Sequence, residues 1–242
     1  MVKPAAFFDI DGTLIRSSLL IEIFKALVRR DVFPSRADDE IEPYRRAWIE
    51  RRGSYRDYIM AVVEVYYRRI VNCREDDVVL VGQMVAEEQR QQVYAYTRGI
   101  IGQLQKSHVL VAISGSPVEV VKPFADHWGF HGVYASETEV IDGRYTDRRL
   151  QNAARDKVAL VSRALQELDA TLEGSVDVGD TEGDVPVLGC VTHPVAFNPN
   201  AELLALARER GWKIVVERKD VVYRFRNGEP VTFVTANDPY AV

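Results

Sequence analysis

The 242-residue sequence predicts an α/β fold: a parallel sheet with a block of helices inserted after its first strand. Three observations carry this reading. Short, continuously apolar runs recur at 5–10 (AAFFDI), 108–114 (HVLVAIS), 132–137 (GVYASE), 175–180 (SVDVGD), 193–198 (HPVAFN) and 212–217 (WKIVVE), as strands buried on both faces require. Segments with helical spacing separate most of them, at 116–129, 153–168 and 200–211. The alternation fails in one place, from about Leu19 to Arg98, where every legible pattern is helical.

Within that interval Leu20, Ile23, Phe24 and Leu27 follow i, i+3, i+4, i+7 spacing. The stretches 44–53, 55–71 and 76–96 also read as helices, and Ser54 after Gly53 is an N-cap at a break. Arginine doublets (29–30, 45–46, 51–52, 68–69) run through it. Residues 15–98 hold 15 Lys/Arg against 14 Asp/Glu, so solvated faces with mixed ion pairs are expected rather than a basic patch. The aromatics Tyr44, Trp48, Tyr55, Tyr58, Tyr66 and Tyr67 are read mainly as core, with one or two lining a pocket. Asp142-Gly143 and Asn227-Gly228, each between β-type residues, signal hairpins. The expected organisation is a core of 1–16 plus 99–217, a helical insertion at 17–98 and a C-terminal hairpin and tail at 218–242.

Composition removes several classes of function. A net charge of −5 gives no general attraction to nucleic acid or anionic lipid. No apolar run approaches a membrane span, and the N-terminus lacks a signal-peptide pattern, so a cytoplasmic protein is expected. Cys73 and Cys190 have no metal-like spacing and read as reduced, buried or half-buried thiols. The four histidines likewise show no ligand spacing.

Four polar stretches stand at strand ends or helix starts, the edge where open α/β sheets bind ligands. They are Asp9 and Asp11 in FFDIDGT, Ser114-Gly115-Ser116 in AISGSP, Lys157 in ARDKVAL, and Asp180, Glu182 and Asp184 in GDTEGD. Two carboxylates one residue apart at the end of a buried strand repel each other and lose hydration. A metal ion or a phosphoryl group would offset that cost.

In order and content these four stretches resemble the motifs of the haloacid dehalogenase superfamily of aspartate-nucleophile phosphatases. The segment around SGSPVEVVKPFADHWG is similar to its phosphoserine-phosphatase-like branch. The resemblance implies a Rossmann-like core with a C1-type helical cap, and hydrolysis of a small organic phosphomonoester. Asp9 would be the nucleophile and Asp11 the general acid and base. Ser114, Gly115 and Lys157 would hold phosphate. Asp9, Asp180 and the backbone carbonyl of Asp11 would hold Mg²⁺, which suits few carboxylates plus phosphate oxygens and water. Asp184 is expected to orient Lys157 or cap the following turn, Thr13 to steady the first loop through backbone, and Glu182 to be solvated. The implied partner is a small phosphorylated metabolite; the C-terminal hairpin covers a sheet edge or forms a homodimer. A phosphotransferase or mutase, or a non-catalytic binder on the same scaffold, are the alternatives. Where that branch carries an acid soon after the first motif, this chain has Ser17 and Ser18, with Glu22 late; no DF…R stretch follows, and Gly183 replaces an Asn. Phosphoserine is therefore not the expected substrate.

Overall fold

The computed structural model describes residues 2–225 and 232–235. Nine strands form one sheet among these residues: β1 (Lys3–Phe8), β2 (Val109–Pro117), β3 (Gly132–Ile141), β4 (Arg144–Gln151), β5 (Ala170–Gly179), β6 (His193–Phe197), β7 (Lys213–Arg218), β8 (Val221–Phe225) and β9 (Thr232–Thr235). Their order is β4-β3-β2-β1-β5-β6-β7-β8-β9. Strands β3 to β7 through the centre pair in parallel, while β3–β4, β7–β8 and β8–β9 are antiparallel. The central strands are continuously apolar because both faces are covered: Ala5, Ala6, Phe7 and Phe8 are all buried.

The chain leaves β1 toward β2 on one side and returns to β5 on the other. The strand order therefore reverses at β1, and the crevice at its C-terminal end is the expected ligand site. Five helices precede β2: α1 (Leu19–Arg29), α2 (Arg36–Ile49), α3 (Tyr55–Arg69), α4 (Glu75–Gln89) and α5 (Ala95–Leu104). Later crossovers use α6 (Val118–His127), α7 (Lys157–Glu167), the short α8 (Val185–Leu188) and α9 (Ala201–Glu209).

The break at Gly53-Ser54 forms as its residues dictate. Ser54 Oγ accepts from Asp57 N at 3.0 Å, and Asp57 Oδ2 accepts from Ser54 N at 3.3 Å, a reciprocal capping box opening α3. The single helix expected over 76–96 is instead split into α4 and α5. The intervening backbone pairs with the loop after β1: Arg16 N donates to Gln92 O (3.0 Å) and Tyr94 N to Leu14 O (3.0 Å). Local periodicity cannot report such a distant partner. The arginine doublets do form mixed pairs, with Arg68 and Arg69 both on Glu40 and Arg45 and Arg46 both on Glu42.

Helix α4 docks on α6 through Gly82, where an added Cβ would lie 2.3 Å from Glu119 O. The β3–β4 turn carries Asp142 and Gly143 at φ +50° and +71°, the left-handed pair that a two-residue hairpin needs. Strands β8 and β9 pair as the second hairpin, whereas its Asn227-Gly228 turn lies outside the described residues, as do 236–242 of the tail. Cys73 is half-buried, but Cys190 is exposed, contrary to the expectation of a buried or half-buried thiol. No helix is long and apolar enough to cross a membrane among the described residues.

Candidate active site

Register brings the first and fourth polar stretches together. Phe8 pairs with Val178, and Asp9 N donates to Val178 O at 3.0 Å. The two chains thus leave the sheet side by side, Asp9 from one and Asp180 from the other. Gly12 makes their approach feasible. It sits at φ +78°, and a Cβ there would fall 2.3 Å from Asp180 Oδ2, so a side chain is excluded both by conformation and by space.

Lys157 opens α7 and projects beneath both loops. Its Nζ donates to Asp9 Oδ1 at 2.8 Å and to Asp184 Oδ1 at 2.5 Å. The other Asp184 oxygen accepts from the backbone N–H of Asp180 and of Thr181, both at 3.0 Å. Asp184 therefore does both things expected of it: it caps its own turn and fixes the lysine.

Asp11 faces the second stretch. Its Oδ2 accepts from Ser114 Oγ (2.8 Å) and Ser116 Oγ (2.7 Å), and its Oδ1 from Leu19 N (2.5 Å) at the start of α1. Ser114 Oγ in turn accepts from Ser116 N (3.0 Å), and the Gly115 carbonyl accepts from Ser136 Oγ (2.8 Å). Asp9, Asp11, Ser114, Gly115, Lys157, Asp180 and Asp184 thus surround one crevice at the end of β1.

Two expectations are corrected here. Thr13 Oγ1 is aimed at Asp180 Oδ1 (3.4 Å), not at backbone. Glu182 is not free in solvent: its carboxylate accepts from Arg56 Nη1 (2.9 Å) on α3 and from Asn200 Nδ2 (2.5 Å). Ser116 was named in the second stretch but given no role in the site. Its signal was the Ser-x-Ser spacing, which places both hydroxyls on one side of a strand.

The electrostatics are one-sided. Burial pushes the Asp9 carboxyl up to about 8, against the pull of the Lys157 ammonium, with the charges of Asp184 and Asp11 adding to the rise. Asp180 is raised well above the carboxylate range by burial, then by Asp9 and Asp184. Burial opposes the Lys157 charge, yet Asp184 and Asp9 outweigh it and hold the ammonium firmly protonated. Four aspartates share one lysine, so the crevice lacks positive charge. That deficit, and the all-oxygen donor set, fit a hard divalent cation. The Asp11 carboxylate is engaged elsewhere, and among the described residues no three His, Cys, Asp or Glu side chains form a ready cage. Asp9, Asp180 and the Asp11 carbonyl are the donors left for an ion that also keeps water and phosphate oxygens.

Asp177, on β5 below this group, is 3% exposed, and its Oδ2 accepts from no donor among the described residues. Burial and then the Asp184 charge raise it well above the carboxylate range. A raised folded value means the native state holds this proton more tightly than the unfolded chain. Its stability contribution is therefore full at low pH and is lost as pH climbs from the unfolded value of about 3.9 toward the folded one. Asp177→Asn removes the dependence. The stability of wild type minus that of the variant is expected to fall by about 1.4 kcal/mol per pH unit inside that window. Urea unfolding at several pH values measures it, and parallel curves would refute the assignment.

Comparison with known proteins identifies the family. The family model for haloacid dehalogenase-like hydrolases matches residues 6–189, and the chain belongs to that family. It is a phosphatase of the phosphoserine-phosphatase-like kind, a phosphoric monoester hydrolase by class. The phosphoserine phosphatase SerB1 of Mycobacterium tuberculosis is 28% identical, over 88% of this chain and 70% of its own length. A histidinol-phosphatase of Neisseria meningitidis is 24% identical, over 88% of this chain and 99% of its own. A phosphoserine phosphatase solved as a phospho-aspartyl intermediate analogue has the same fold, with a TM-score of 0.59 at 18% identity, covering 91% of this chain and 96% of that one.

Proposed function

We propose that the protein is a Mg²⁺-dependent phosphatase that hydrolyses a small organic phosphomonoester through an aspartyl-phosphate on Asp9. The observation that carries the reading is the Lys157 ammonium bonded to Asp9 and Asp184 together, 2.8 and 2.5 Å away, beside the Asp180 carboxylate. A phosphate dianion repels an anionic nucleophile, so positive charge must be in place before attack. Lys157 supplies one such charge. Bound by Asp9, Asp180 and the Asp11 carbonyl, Mg²⁺ would supply the other, neutralising phosphoryl oxygens.

Asp9 Oδ attacks phosphorus, forms the P–O bond and displaces the alcohol. Asp11 gives the departing oxygen its proton, then takes one from the water that cleaves the aspartyl ester. Ser114 and the Gly115 N–H donate to phosphoryl oxygens during both halves. In the resting site Ser114 Oγ is turned onto Asp11 (2.8 Å), and arriving phosphate offers it a second acceptor. Asp184 and Thr13 position Lys157 and Asp180 respectively. Relatives named for phosphoserine and histidinol phosphates support a small-molecule ester as the substrate class. The soluble-metabolite partner and a cytoplasmic setting go with that reading.

The test is release of inorganic phosphate from a panel of phosphorylated metabolites. Turnover is expected to cease in EDTA and return with added Mg²⁺. Undiminished turnover in EDTA would remove the metal from the reaction.

A further inference from the structure

Helix α3 is fastened at both ends to elements that border the crevice. At its start, Arg56 bonds Glu182 (2.9 Å), two residues beyond Asp180. At its finish, the Tyr67 phenol faces Ser136 of β3, whose hydroxyl donates to the Gly115 carbonyl (2.8 Å). The Arg149 guanidinium of β4 sits 3.5 Å from the centre of the Tyr67 ring. Just past α3, Asn72 N donates to Tyr145 O (2.9 Å) and Tyr145 N to Cys73 O (3.1 Å). From Tyr55 to Tyr67 a helix rises about 18 Å. From β5 to β3 the sheet spans three strand spacings, roughly 14 Å. The helix therefore bridges the end of β1, where Asp9 lies.

Angular position shows which side chains form its underside. At 100° per residue, Arg56 and Tyr67 differ by only about 20° around the helix, and Tyr55 lies about 100° behind Arg56. Tyr66 also falls in the sector those residues bound but is fully buried against Phe33, which leaves Ile59 and Val63 there. Both are half-buried at the margin of the core. Tyr55 is 40% exposed, and burial together with the charges of Asp11 and Asp180 holds its phenol protonated. It packs on Trp48 (5.2 Å) and Tyr58 (6.4 Å). Charged residues of α3 are used elsewhere: Asp57 caps, Arg68 and Arg69 pair with Glu40, and Glu64 is 77% exposed. Arg56, alone among them in this sector, is paired with Glu182.

We propose that Ile59 and Val63, flanked by Tyr55 and Tyr67, form an apolar roof against which the alcohol part of the substrate lies. The enzyme accordingly selects phosphomonoesters of apolar alcohols over those of zwitterionic or polyhydroxylated ones. This rests on the phosphatase reading above and names its substrate class. A zwitterionic headgroup under this roof would lose water, and the cations that border the roof, Arg56 and Arg149, are already engaged with Glu182 and the Tyr67 ring. An alkyl chain loses nothing and removes apolar surface from water.

The experiment compares kcat/KM for hexyl phosphate, O-phosphoserine and glycerol 1-phosphate with Mg²⁺ present. Hexyl phosphate has no activated leaving group, so a preference for it reports recognition. Wild type is expected to favour it by about 10-fold or more. Val63→Arg and Ile59→Arg are each expected to shrink that ratio by about 10-fold, with folding checked by circular dichroism. Preference of the wild type for phosphoserine or glycerol phosphate would overturn the roof while leaving the phosphatase reading intact. So would an unchanged ratio in the folded variants. If either variant fails to fold, the other and the wild-type ratio decide. Failure of wild type to release phosphate from all three esters and from the metabolite panel would overturn the phosphatase reading, and the roof with it.

Discussion

Asp9→Asn is expected to lower kcat on any phosphomonoester by about 10⁴-fold or more, the scale of loss when an enzyme's nucleophile is removed. The amide keeps the shape of the side chain but cannot attack phosphorus. It also removes one of two carboxylates proposed to hold the cation, so nucleophile and metal affinity fail together. The fold should survive. Asp9 sits at a strand end where burial disfavours its charge, and an amide oxygen still accepts from Lys157. Steady-state phosphate release, with circular dichroism to verify folding, measures the effect. Activity within tenfold of wild type would exclude Asp9 as nucleophile.

Lys157→Met is the substitution expected to cost most in stability. Both partners of the lysine are buried: the side chains of Asp9 and Asp184 are 10% and 3% exposed. Methionine fills much of the volume but leaves two carboxylates facing each other without their counter-charge. Breaking a buried pair from one side costs about 3–5 kcal/mol. Asp184 also ties down the backbone of Asp180 and Thr181, so the loop bearing Asp180 loosens as well. Urea unfolding at pH 7 is the measurement. Added Mg²⁺ is expected to recover part of the loss, since a cation in the crevice meets the same unpaid charge. A destabilisation under 1 kcal/mol would show that the aspartates do not depend on this lysine.

Much of the site was readable because its chemistry is written in short, local strings. Asp9 and Asp11 are one residue apart, Ser114 and Gly115 adjacent, and Asp180 and Asp184 within a single turn. Each string stands at a strand end or helix start, and the apolar runs mark those ends. Thr13 and Glu182 were misjudged for a common reason. Their partners, Asp180 and Arg56, are 167 and 126 residues away, and no local pattern reports an interaction at that range. The split between α4 and α5 was missed likewise, since it is made by the loop after β1 pairing with 92–94.

The sequence by itself determined the alternation of strand and helix, the helical interruption after the first strand, and the residue types gathered at the sheet edge. These follow from hydrophobic period and turn chemistry, which act over a few residues. Only the tertiary structure decided that Lys157 joins Asp9 to Asp184, that Ser116 shares Asp11 with Ser114, and that Arg56 of α3 reaches Glu182 beside the crevice. Those facts depend on strand register and helix docking, where side chains far apart in the chain exclude water and meet. That is a property of the whole packed chain, and no window of sequence contains it.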